Sequence, residues 1–97
     1  MERLCFTLLV NPGQEDTYDL VHQEMPDEVR QALVECGYEN YTIFRQGELV
    51  IGYAECEPDV ATVLANQRSH PVFKTWGVAM AGVPKRGLEV IAPVWRL

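Results

Sequence analysis

Ninety-seven residues, 47% of them hydrophobic, with 14 acidic against eight basic side chains and a net charge of −6, give this chain material for one small core. No apolar run approaches the roughly 20 residues that cross a bilayer, and an acidic surface repels a phosphate backbone, so neither a membrane nor nucleic acid is an expected partner. Cys5, Cys36 and Cys56 are odd in number and form no C-x-x-C pair, which reads as core filling in a reducing cytoplasm.

In chain order, Arg3 to Val10 reads as a strand, continuous in apolar character and stopped by Asn11-Pro12-Gly13. It has strand length only and no small-residue cleavage site follows it, so it is not expected to serve as an export signal. Gln14 to about Glu24 follows as a helix with Glu15 and Asp16 at its start, where solvated acids suit the dipole, and Pro26 interrupts it. A second helix is expected from Asp27 to Cys36: Val29, Ala32, Leu33 and Cys36 stand at i, i+3, i+4 and i+7, and Gly37 is placed to end it. Tyr38 to Arg45 and Glu48 to Cys56 are rich in Tyr, Ile, Val and Phe and flank Gln46-Gly47, the pattern of an antiparallel hairpin. Pro58 and Pro71 each stand where a helix can open, the first carrying Val60, Val63 and Leu64, the second Val72, Thr75, Trp76 and Met80, with His70 helping to start it. Ala81 to Arg86 reads as a loop, and Leu88 to Trp95 as a last strand that Pro93 confines to an edge or a bulge.

The order is β-α-β-β-α-β with each helical region broken by a proline, which predicts a ferredoxin-like α+β sandwich in a single domain, 1–97. Helices then cover one face of the sheet. The first strand is apolar on both faces, with Leu4, Phe6, Leu8 and Val10 alternating with Cys5, Thr7 and Leu9. A second subunit is the simplest cover for the other face, so a homodimer forming a dimeric α+β barrel is expected.

Few side chains are suited to proton transfer. Only two histidines occur, and His22 stands four residues after Tyr18, on the same face of the first helix. An imidazole exchanges a proton near neutral pH, and a phenol offers a flat ring and a hydroxyl. With Tyr41 on the second strand and Trp76 on the last helix, these side chains could converge on a sugar, aromatic faces against its C–H side and polar groups on its oxygens. Taken singly, each is more often structural, the histidine at a surface and Tyr41 and Trp76 in the core. No His, Cys and carboxylate grouping has metal spacing, and the familiar nucleotide and hydrolase motifs, G-x-S-x-G, P-loop and G-x-G-x-x-G, are absent.

Over most of its length the chain resembles the L-rhamnose mutarotases. The resemblance rests on the first strand running into Val10-Asn11-Pro12, on Tyr-x-x-x-His at Tyr18 and His22, and on Gly37-x-x-Asn40-Tyr41 leading into the hairpin. Glu55 closes the third strand as an acid does in that family, and Trp76 lies where the family carries a Trp-Trp pair before a helical Met such as Met80. The chain departs at Gly77, which replaces the second tryptophan and leaves backbone to approach the ligand, at Met25-Pro26-Asp27, where the family has apolar-Trp-Pro, and in a shorter loop before the last strand.

The resemblance implies a cofactor-free isomerase that interconverts the α and β anomers of L-rhamnose or a related 6-deoxy monosaccharide. It implies His22 as proton donor, with Tyr18, Tyr41, Trp76 and the Gly77 position contacting the sugar. Opening and reclosing a hemiacetal needs an acid at the ring oxygen and a base at the anomeric hydroxyl. Tyr18, Tyr41, a carboxylate or water could be that base. Two other readings fit the same sandwich: a non-catalytic small-ligand or regulatory module, and a cofactor-free oxygenase of the dimeric-barrel type.

Overall fold

The computed structural model describes residues 1–97 in the order β1 (Glu2–Val10), α1 (Glu15–Gln23), α2 (Asp27–Cys36), β2 (Tyr38–Gln46), β3 (Leu49–Cys56), α3 (Val60–Ser69), α4 (Val72–Ala79) and β4 (Pro84–Ile91). The four strands form one antiparallel sheet in the order β2-β3-β1-β4, and the helices cover one of its faces. This is the expected β-α-β-β-α-β sandwich, each half carrying two helices where a single crossover helix would suffice.

The breaks follow from local chemistry. Pro26 stands as N-cap of α2, separating it from α1. Gly37 ends α2 at φ +113°, and a Cβ there would collide with the Glu57 carbonyl, so both conformation and space demand glycine. Helix α3 starts at Val60, two residues beyond Pro58: Asp59 is its N-cap, and the carboxylate accepts a hydrogen bond from the Thr62 N–H at 2.7 Å. His70 does help to open α4, its Nδ1 accepting from the Val72 N–H at 3.3 Å.

The last strand corrects the expectation. It spans Pro84–Ile91, four residues earlier at each end than Leu88 to Trp95, because Pro84 is paired with Val10 at the sheet edge and Pro93 falls outside the ladder. Ala92 to Leu97 leave the sheet, and Val94, Trp95 and Leu97 are exposed.

Alternation along the strands sorts the core. Leu4, Phe6 and Val10 of β1 and Val50, Ala54 and Cys56 of β3 point under the helices and are buried, with Gly52 leaving space for the Phe6 ring. Cys36 and Cys56 are buried fillers whose thiols burial holds above the ordinary range, and Cys5 is half-buried. On the open face Ile51 pairs with Thr7 on one side and Phe44 on the other, and Phe44 remains 60% exposed.

Candidate active site

A cleft of about 390 Å³ opens between the helical layer and β2. His22 of α1, Met25 of the α1–α2 connection, Val29, Arg30, Leu33 and Val34 of α2, Tyr38, Asn40, Tyr41 and Ile43 of β2, Gln67 of α3, and Phe73 and Trp76 of α4 line it. The proline-broken helices make this possible: four short helices leave a seam where a single pair would close it.

His22 is held from two sides. Its ring lies 4.2 Å from that of Tyr18 at 31°, and the Trp76 ring meets it edge-on at 5.4 Å and 89°. Its Nδ1 is 2.8 Å from the Tyr18 carbonyl. A carbonyl only accepts, so Nδ1 carries the hydrogen and Nε2 is the nitrogen left to exchange a proton. The helical four-residue step that brings the two side chains together also sets the tautomer.

Tyr18 is mostly a core residue. It is 2% exposed and packs with Val10, Val50 and Val83, reaching the site through a recess shared with Asp19, His22, Ile43 and Arg45. Desolvation, reinforced by neighbouring Asp19, pushes its phenol up to about 12. Asp19 is in turn gripped by Arg45 of β2 through two hydrogen bonds of 2.7 and 2.6 Å, which hold its carboxyl below the usual carboxylate range and tie α1 to the sheet.

Tyr41 reaches the cleft because of a bulge. Glu39 pairs with Glu55 and Thr42 with Tyr53, so Asn40 and Tyr41 together oppose Ala54. The extra residue reverses the alternation and puts Tyr41 on the face that Tyr38 occupies, where its ring packs edge-on against Phe6. Asn40 takes the bulge conformation at φ +49°, which asparagine tolerates, and its Nδ2 donates to Glu55 at 2.7 Å. Asn40, then the Tyr53 hydroxyl, hold the Glu55 carboxyl below its usual range. Burial holds the Tyr38 and Tyr41 phenols far above theirs; the Tyr38 hydroxyl donates to Gln67.

Tyr41, Trp76 and His22 therefore share the cleft, with Tyr18 behind the histidine. Gly77 lies on the exposed side of α4, does not line the cleft, and has nothing within 4 Å of where a Cβ would stand. Arg30 and Gln67 belong to the lining without having been singled out in the sequence, and Asn40 was named there only as part of the motif leading into the hairpin. No carboxylate is among the lining residues.

The family profile described as L-rhamnose mutarotase matches residues 3–91. The chain belongs to the L-rhamnose mutarotase family. An L-rhamnose mutarotase of Brucella anthropi is 32% identical over 84 residues, covering 84% of this chain and 77% of the relative. In solved structures, an L-rhamnose mutarotase from Formosa agariphila superposes with a TM-score of 0.85 at 20% identity, covering 100% of this chain and 99% of its own. A tetracenomycin F2 cyclase from Streptomyces glaucescens, a type-II polyketide cyclase, superposes with a TM-score of 0.69 at 17% identity, over 98% and 97% of the two chains. At such identities the structures show the shared fold, while the sequence match carries the family. In this member of the family, His22, Tyr41 and Trp76 line one cleft, and Tyr18 packs behind His22.

Proposed function

We propose that the chain is an aldose mutarotase that interconverts the α and β anomers of L-rhamnose or a related 6-deoxy sugar, with His22 as its proton-transferring group. The observation that carries this is the Nδ1 contact with the Tyr18 carbonyl, which directs Nε2 to the exchange. In its protonated form His22 gives the Nε2 proton to the ring oxygen as the C1–O5 bond breaks. The anomeric hydroxyl loses its proton to water, leaving an aldehyde. Rotation about C1–C2 presents the other face; the C5 hydroxyl attacks C1, returns its proton to Nε2, and the carbonyl oxygen is reprotonated from water.

The candidates for the base narrow accordingly. Tyr18, Tyr38 and Tyr41 are held protonated by burial, and no carboxylate lines the cleft, so water is the acceptor and the phenols act as donors and ring surfaces. Trp76 and Tyr41 supply aromatic surface for the sugar's C–H side. Gly77 lies outside the cleft lining and enters this reading only as the residue that follows Trp76 on α4.

The functional unit in this proposal is a homodimer of one-domain chains, residues 1–97, joined through the open sheet face, where Phe44, Leu49, Ile51 and Ile91 remain 60%, 37%, 39% and 45% exposed. The two buried free thiols suit a cytoplasmic setting.

Two-dimensional exchange NMR on L-rhamnose tests the reading. The wild type should accelerate anomer exchange above the uncatalysed rate, and His22→Asn should remain folded while losing roughly 10²-fold or more of that acceleration. A folded variant with near wild-type exchange would show that His22 is not the acid. Binding without exchange in the wild type would favour the non-catalytic ligand module.

A further inference from the structure

The polar groups of the cleft are unequally free. Gln67 Oε1 already accepts from Tyr38, and Asn40 Nδ2 already donates to Glu55. His22 Nδ1 is spent on the Tyr18 carbonyl. Arg30, exposed on α2, differs from all three: it is the only Lys or Arg among the 13 lining residues, and no ion pair includes it. None of the 14 acidic residues lines the cleft with it. The net charge of −6 works against an anion at long range, so a guanidinium in the cleft with no carboxylate among its lining neighbours supplies the local attraction that an anionic ligand needs. Its planar fork of donors matches a carboxylate or a phosphate and finds no partner of that geometry within the cleft.

From this we propose that the cleft accepts aldoses carrying an anionic group, a hexuronic acid or a sugar phosphate, and that Arg30 is the residue selecting them. The proposal rests on the mutarotase reading only for the reaction; the recognition follows from Arg30 itself. The anion pairs with Arg30 of α2 while the anomeric centre lies at His22 of α1, so the sugar spans the seam between the first two helices. A neutral 6-deoxy sugar fills the same aromatic surface without engaging the guanidinium.

The test compares D-glucuronate, D-glucose 6-phosphate, D-glucose and L-rhamnose by the same exchange NMR, with ligand line broadening as an independent reading of binding. For the wild type, glucuronate or the phosphate should show a KM or Kd below that of D-glucose by on the order of tenfold, an advantage that shrinks as salt is raised. Arg30→Gln should erase that ratio and Arg30→Lys should restore part of it, circular dichroism confirming that both remain folded. Preference for the carboxylate or for the phosphate identifies the anion, and either sustains the proposal. Equal treatment of D-glucose and its two anionic counterparts, or a ratio that survives Arg30→Gln, overturns it. If the anions bind with the Arg30-dependent preference but no sugar is exchanged, the anion site stands and the mutarotase reading falls; if L-rhamnose is exchanged without any anion preference, the reverse holds.

Discussion

Tyr18 is a core residue whose ring packs against that of His22, and its burial has a measurable cost. The unfolded chain ionises this phenol near its ordinary value of 10.0, whereas the folded chain holds the proton to about 12. Below pH 10 the contribution to stability is complete; between those values the unfolded state ionises first, so stability falls as pH rises. Tyr18→Phe should therefore lose less stability than the wild type between pH 7 and pH 11, by about 1 kcal/mol, as read from urea midpoints at the two pH values. An equal loss in both proteins would mean that the burial of Tyr18 does not reach its hydroxyl. Residues of this kind are legible in sequence because helical spacing alone pairs Tyr18 with His22. Tyr41 does line the cleft, but its side of the strand depends on a bulge at Asn40 that no alternation pattern signals. Arg30 gave no signal in the sequence, because its place on the cleft exists only in three dimensions.

At the level of elements, the prolines and glycines carried most of the legible signal. Pro26, Gly37 and Pro71 mark boundaries that the structure respects to within a residue. The final strand was displaced by four residues because Pro84 was read as a loop residue, whereas at a sheet edge a proline sacrifices no ladder hydrogen bond. Helix α4 carries a different weakness. Gly77 lies in its interior, exposed and with open space around its missing Cβ, so the helix bears glycine's entropy cost without a packing reason. Gly77→Ala should raise stability by about 0.5–1 kcal/mol, visible as a melting temperature higher by a few degrees. A lower melting temperature would show that the position needs a backbone that alanine disfavours. The same open space leaves room for Gly77→Trp to extend the aromatic surface beside Trp76.

For the whole molecule, the imbalance between the two sheet faces decides the expected assembly. Fourteen of 97 residues are buried, all the strand residues among them on the helix side or at the rim, while Phe44 and Ile51 stand side by side on the open face. Light scattering at micromolar concentration should report two chains of 11.0 kDa. Phe44→Lys combined with Ile51→Lys should give a folded single chain, since both side chains are already partly in water. A wild type that scatters as one chain would remove the sheet-to-sheet packing. That the open face would carry apolar side chains was legible from β1, where Cys5 and Leu9 alternate with Leu4, Phe6, Leu8 and Val10. Which rows of side chains form the patch was not, because that required the register of β1, β2 and β3.

The Tyr18 carbonyl accepts from the His22 ring, and by the i to i+4 pattern of α1 it is also the acceptor for the His22 backbone N–H. Secondary structure and proton chemistry thus hang on a single oxygen. Unwinding one turn of a nine-residue helix releases the imidazole to change tautomer and swing away, long before the sheet lets go. With His22 as the proton-transferring group, gentle heating should silence anomer exchange while the sheet is still folded, and cooling should restore it without refolding.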